Sequence, residues 1–252
     1  MTAGQASDLA LIHGWGFGSA VWQPLREALS RCCRVHLVDL PGYGGTAAGD
    51  ADFTQTARTL IDDLPDPVTL CGWSLGAMLA VRAASLAPQR VAGLILVGAT
   101  ASFTQRADWR EAQPSALLDS FAAGVEERPE QTLQRFAALL NQRDERARPL
   151  TRTLLASLRS QAIAPTAVLR RGLDWLREVD LRPLLPSLPT RSLLIHGEKD
   201  PLNPLAAAHW LAASIPRARL EVFAAAGHAP FLSDPDRFVR LVEDFCHADA
   251  TR

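Results

Sequence analysis

Short apolar runs alternate with helical stretches along most of this chain, and that alternation leaves few folds open. Strand-like runs fall near residues 9–13, 34–39, 67–71, 93–98, 191–197 and 219–223, with helical patterns near 20–30, 54–64, 75–87, 205–214 and 236–246. Strands that alternate with helices build a mostly parallel sheet covered on both faces. The expected class is therefore α/β with a doubly wound sheet. A chain of 252 residues, 48% of them hydrophobic, suffices for a single domain with one sizeable core.

One segment breaks the alternation. From Ala101 to Leu185 there are only helical patterns: Ser115 to Ala123, Pro129 to Leu140, Pro149 to Gln161 and Pro165 to Leu176. Residues 101–185 fall between two core strands, so they are expected to form a helical lid above the carboxyl edge of the sheet. Such a lid excludes water and shapes a pocket. Phe136, Leu139 and Leu140 form an apolar stripe that either borders an acyl channel or packs the lid on the core.

The pentapeptide Gly72-Trp73-Ser74-Leu75-Gly76 follows the apolar run Val68-Thr69-Leu70-Cys71 and precedes the helical stretch Ala77 to Leu86. A strand, a sharp turn and a helix with Ser at the apex is the setting of a nucleophile elbow. A side chain at either glycine would crowd the neighbouring strand or helix. A Ser hydroxyl needs a base, and the base needs an orienting acid. Asp200 follows the strand ending at Gly197, and His228 follows the strand Leu220 to Phe223, giving the chain order Ser, acid, His. Glu198 is the rival acid. Of the six His, His13 and His196 end apolar strands and read as structural. His36 sits inside a strand, and His209 and His247 read as helix-surface residues. The early loop His13-Gly14-Trp15-Gly16 offers the N–H of Trp15 as one oxyanion donor, and the N–H of Leu75 is the other. The alternative for that loop is a plain glycine turn with Trp15 as a core aromatic.

H-G-W-G, V-D-L-P-G-Y-G (Val38 to Gly44), G-W-S-L-G, H-G-E-K-D and G-H-A-P-F span most of the chain. Together they resemble the α/β hydrolases. More narrowly, HGWG with GWSLG and HAPF resembles the pimeloyl-[acyl-carrier protein] methyl ester esterases of biotin synthesis. The resemblance implies hydrolysis of the methyl ester of pimeloyl-acyl-carrier protein, with an acyl-carrier protein as partner. It implies a substrate site formed by Trp15, Ser74, Leu75, Phe136, Ala137, Ala138, Leu139, Leu140 and His228. It also implies that Arg135, Arg148 and Arg152 meet the acidic carrier or its phosphopantetheine phosphate. The family's lid carries R-x-x-x-R-F and then A-R-x-x-x-R. Here Gln131 replaces the leading Arg of the first element, while the second, Ala147 to Arg152, is intact.

The basic charge in the lid is uneven. Residues 135–171 hold eight arginines (135, 143, 146, 148, 152, 159, 170 and 171) against Asp144 and Glu145, in a chain whose formal net charge is −1. Lys199 is the sole lysine, which explains Arg over Lys but not the clustering. Arg148 and Arg152 share a helix face if the helix begins near Pro149, and two cations there oppose the helix dipole. A bound phosphate would relieve that conflict.

Composition excludes other classes. Near-neutral charge argues against a nucleic-acid binder. No run approaches the roughly 18 apolar residues of a membrane span. The start, Met1 to Asp8, has no basic-then-apolar signal pattern. Cys32, Cys33, Cys71 and Cys246 show no metal-ligand spacing, and reduced thiols in the cytoplasm are expected. A monomer that needs no metal or cofactor is expected. Open alternatives are a broad carboxylesterase or thioesterase, a carbon–carbon hydrolase with the same triad, and a ligand-sensing receptor that keeps a slow triad.

Overall fold

A computed structural model describes residues 6–247. Met1 to Gln5, on which the reading of no signal sequence partly rests, lie outside them. Six strands, β1 (Ser7–Ile12), β2 (Cys33–Val38), β3 (Val68–Trp73), β4 (Val91–Val97), β5 (Ser192–Gly197) and β6 (Ala218–Phe223), form one parallel sheet in the order β2-β1-β3-β4-β5-β6. β3 and β5 are buried at every residue, as strands covered on both faces must be. The edge strands β2 and β6 are half-exposed and carry Arg34, Arg219 and Glu221, charges that discourage pairing with another chain.

Helix α1 (Gln23–Leu29) follows a 3₁₀ turn over Ser19–Trp22. The single helical stretch expected near 20–30 is split there because Pro24 has no N–H to continue the ladder. Helices α2 (Phe53–Asp62) and α3 (Leu75–Leu86) pack together. Between β4 and β5 come four helices: α4 (Ser115–Glu127), α5 (Pro129–Leu140), α6 (Ala147–Arg159) and α7 (Thr166–Glu178). α4 packs on α5 and α7, α5 on α6, and α6 on the 3₁₀ turn of the core. The two ends of this insertion meet: Leu181 N–H donates to Ala101 O at 2.8 Å, and Ser102 bridges Asp180. Helix α6 starts two residues earlier than Pro149. A proline is tolerated in a first turn, where N–H groups have no intrahelical partner. The last elements are α8 (Leu205–Ser214), the single turn α9 (Pro230–Ser233) and α10 (Pro235–His247), which packs on α1. No helix among the described residues is long and apolar enough to cross a membrane.

Candidate active site

The strand order fixes where a site can lie. The chain leaves β1 for the edge strand β2, then returns to β3 on the other side of β1. Loops after β1 and β3 therefore diverge, opening a crevice at the carboxyl ends of the strands. The apex between β3 and α3 projects into it. Ser74 has φ 55° and ψ −116°, a conformation that costs an L-residue about 1–3 kcal/mol. Backbone bonds on both sides hold it: Ser74 N–H donates to Val97 O at 2.9 Å, and Ser74 O accepts from Ala77 N–H at 2.9 Å. The two glycines are required by close approach. A Cβ on Gly72 would lie 2.3 Å from Gly76 O, and one on Gly76 would lie 2.5 Å from His13 O.

Asp200 and His228 come together from the loops after β5 and β6. His228 Nδ1 lies 2.6 Å from Asp200 Oδ2, and both side chains are fully buried. The other carboxylate oxygen, Oδ1, accepts the N–H groups of Leu202 and Asn203 at 2.8 and 2.9 Å. Burial alone would raise the Asp200 carboxyl. The charge of the His228 imidazole, its hydrogen bond, the His196 imidazole and the Asn203 N–H together outweigh burial and hold it below its ordinary range. An imidazole whose Nδ1 faces a carboxylate carries its proton there and keeps the Nε2 lone pair free. His228 Nε2 is buried and has no hydrogen-bond partner among the described residues. Glu198 is exposed, and its Oε2 accepts from Ala225 N–H at 3.2 Å rather than meeting His228.

The remaining histidines sit as the sequence suggests. Buried His13 donates from Nδ1 to Gly14 O (2.8 Å), and its Nε2 accepts from Leu40 N–H (3.1 Å). Burial lowers its pKa to about 4, against the opposing pull of the Gly14 carbonyl and the Asp39 charge. His196 donates to Asn203 O at 2.8 Å, and burial likewise lowers its pKa. His36 pairs with Asp8 at 2.6 Å on the sheet edge, and His209 and His247 are exposed.

In the loop after β1, Gly16 N–H donates to Tyr43 Oη and Phe17 N–H to Gly14 O, each at 3.3 Å. The N–H groups of Trp15 and Leu75 have no hydrogen-bond partner among the described residues. The Trp15 side chain is both core aromatic and seam. Its Nε1 donates to Leu169 O of α7 at 2.8 Å, and its ring meets Phe136 of α5 edge-on at 4.8 Å. Phe136, Ala137 and Leu140 are buried along one face of α5, and Leu139 is half-buried. Ala138 departs from the expected run: it faces solvent, because a helix turns consecutive positions by about 100° and cannot bury five in a row against one wall.

Arg135, Arg148 and Arg152 are exposed, without an ion-pair partner among the described residues. Arg148, Arg152 and Arg159 line one surface groove along α6. The rest of the cluster is partly committed: Arg170 pairs with Glu126, Arg171 donates to Gly49 O, and Arg146 donates to Ser233 O.

Four contacts escaped the sequence reading. Trp73 Nε1 donates to His228 O at 2.8 Å, Asn203 Nδ2 to Gly98 O at 2.6 Å, and Tyr43 Oη receives Gly16 N–H. Asp144, counted only as an acid among arginines, is buried against the His228 loop. Tyr43 and Trp73 lie inside quoted motifs and so had a signal. Asp144 had none.

A parallel sheet with a strained Ser between strand and helix, and a buried Asp–His pair on the loops after its last two strands, is the architecture of an α/β hydrolase. Residues 9–241 match the profile of the alpha/beta hydrolase family. A protein of Nitrosomonas europaea named pimeloyl-[acyl-carrier protein] methyl ester esterase is 41% identical over 240 residues, covering 94% of this chain and 95% of that one. Its namesake from Photobacterium profundum is 39% identical, covering 97% and 96%. An esterase of Exiguobacterium antarcticum superposes with a TM-score of 0.87 at 26% identity, covering 96% of this chain and 92% of that one. The chain belongs to the alpha/beta hydrolase family and, within it, to the pimeloyl-[acyl-carrier protein] methyl ester esterases. It is a carboxylic ester hydrolase.

Proposed function

We propose that the chain hydrolyses the methyl ester of a pimeloyl chain carried on acyl-carrier protein, freeing the carboxylate for biotin synthesis. Ser74 Oγ attacks the ester carbonyl carbon while His228 Nε2 takes its proton. Asp200 fixes the His tautomer and stabilises the imidazolium. The N–H groups of Trp15 and Leu75 hold the oxyanion. The imidazolium then protonates the departing methoxide, and methanol leaves. Water, deprotonated by His228, attacks the acyl-enzyme and restores Ser74. The observation that carries this reading is the 2.6 Å contact between His228 and Asp200 with Nε2 left unpaired in a dry setting.

The arginines support the carrier. Acyl-carrier proteins are strongly acidic, and exposed unpaired cations speed encounter with an anionic partner. Beside them, a cavity of about 250 Å³ opens between α5 and α6, floored by Leu133, Leu155, Leu158 and Ile163. Leu133 also rests on the Gly16 loop, where a Cβ would lie 2.7 Å from its Cδ2. Leu133 thus lines the cavity on one side and meets the loop of Trp15 on the other. A monomer working in the cytoplasm, where the carrier is, fits this role.

The decisive experiment is a panel of methyl esters of dicarboxylic acids, each free and attached to acyl-carrier protein. The carrier-bound pimeloyl ester should show kcat/KM at least about tenfold above its free counterpart, on the order of 1.4 kcal/mol. Equal values for both would replace this reading with a broad carboxylesterase.

A further inference from the structure

The insertion reaches into the site from above, at the turn between α5 and α6. There Asp144 is buried although its neighbours Arg143 and Glu145 are exposed. Its Oδ2 accepts Gly227 N–H at 2.9 Å and Ser233 Oγ–H at 2.5 Å, and its Oδ1 accepts Arg146 N–H at 2.7 Å. Gly227 and Ser233 flank His228. One residue before this turn, Leu140 O accepts the N–H of His228 itself at 2.9 Å. Two residues after Asp144, Arg146 Nη1 donates to Ser233 O at 2.6 Å.

His228 is thus gripped from two sides. The core holds its ring through Asp200 and its carbonyl through Trp73. The insertion holds its N–H and the peptide that precedes it. A buried carboxylate that accepts several donors is a strong and directional anchor. Gly227 gives little latitude of its own. A Cβ there would lie 2.8 Å from Leu140 O and 3.0 Å from Asn141 Cα, so the loop is seated directly on the end of α5.

We propose that Asp144 is a positioning residue for His228: it fixes the Gly227 peptide, and with it the reach of the imidazole toward Ser74. This rests on the reading of His228 as the base. Misplacing a catalytic group by about 1 Å can cost on the order of 100-fold in rate. Without the Asp144 carboxylate, the buried Gly227 N–H, the half-buried Arg146 N–H and the Ser233 hydroxyl lose their acceptor, and the loop relaxes to find others.

The test uses a small free ester, p-nitrophenyl acetate, so that carrier docking plays no part. Active sites are titrated with a serine-reactive fluorophosphonate, and kcat is expressed per titrated site. Asp144→Ala should lower that kcat about 10- to 100-fold with KM within about threefold of the parent. Asp144→Asn, which keeps one acceptor oxygen, should recover part of the loss. Ser233→Ala, which removes a single donor, should lose the least. A role in folding alone would reduce the number of titratable sites and the melting temperature while leaving kcat per site unchanged, and that result overturns the inference. If Asp144→Ala does not fold, unchanged kcat per site in both Asp144→Asn and Ser233→Ala overturns it equally. His228→Ala is the control. Turnover by that variant would remove the base assignment itself, whereas an inactive His228→Ala beside a fully active Asp144 series removes only the role given to Asp144.

Discussion

The sheet and the helical insertion are built from different materials. At the strand ends the side chains are dry: Asp200 and His228 have no accessible surface, and Ser74 is held by backbone bonds in a conformation it would not choose. On the insertion, Arg135, Arg148 and Arg152 are exposed and have no ion-pair partner among the described residues. In the first region geometry comes from strand register, and low dielectric strengthens each polar contact. In the second, attraction is long-range, adjustable and sensitive to salt. Under the proposed function, the contrast would give bond breaking to the sheet and choice of substrate to the insertion.

Ser74→Ala should lower kcat by at least about three orders of magnitude on carrier-bound and free esters alike, without unfolding the protein. His228→Ala should match it, and the double variant should be little worse, because the two act as a unit. Asp200→Asn should also be severe, and Glu198→Gln mild. The reverse order of the two acids, read in steady-state assays, would remove Asp200 from its role. Activity that survives Ser74→Ala would place the chemistry outside the sheet altogether.

Acid should attack the sheet through His13. In the folded protein its pKa is about 4, against an ordinary value of about 6.5 in the unfolded chain. Between those values the unfolded chain binds the extra proton, so stability rises with pH. His13 therefore contributes fully above about pH 6.5, and its contribution is lost as pH falls toward 4, amounting to about 2 kcal/mol by pH 5. Burial is the main cause, and a second proton on Nε2 would also confront the Leu40 N–H that this nitrogen now accepts. Chemical denaturation of the parent and of His13→Asn, each at pH 7.5 and pH 5, should give a smaller pH dependence in the variant. An identical dependence would mean that the acid-labile part of the fold lies elsewhere.

The smallest effect belongs to the arginines. Arg148→Glu combined with Arg152→Glu should raise KM for a carrier-bound methyl ester about tenfold at low salt, on the order of 1.4 kcal/mol, and less as salt is added. Turnover of a small free ester should hold. If both substrates suffer alike, or neither does, the patch is ordinary solvated surface, and the division between the two regions fails on the insertion's side.

What could be read from the residues follows the same division. The elbow was legible because strand, glycine, Ser, glycine and helix are contiguous, so a local rule suffices. Asp200 and His228 were legible because each follows a recognisable strand. The grip on His228 was not, since it joins Asp144 to Gly227 and Trp73 to His228 across 83 and 155 residues, and no spacing announces such pairs. Helix existence in the insertion was plain, but faces and ends were less so. Ala138 points outward, and α6 begins at Ala147 because Pro149 fits a first turn as well as a start.

The hydrogen bond between Leu181 and Ala101 has a consequence for ancestry and engineering. It makes the intervening stretch a cassette, entered and left at one point, so β4 and β5 can stay paired whatever lies between. Closing such a loop becomes harder only with the logarithm of its length. Exchange of cassettes between relatives is therefore cheap in loop closure, provided that the newcomer also covers Trp15 and Phe17, on which the present insertion packs. A transplanted cassette that brings no acceptor for the Gly227 N–H would yield a stable, folded and sluggish enzyme. Recipients of foreign cassettes should be screened for turnover as well as for folding.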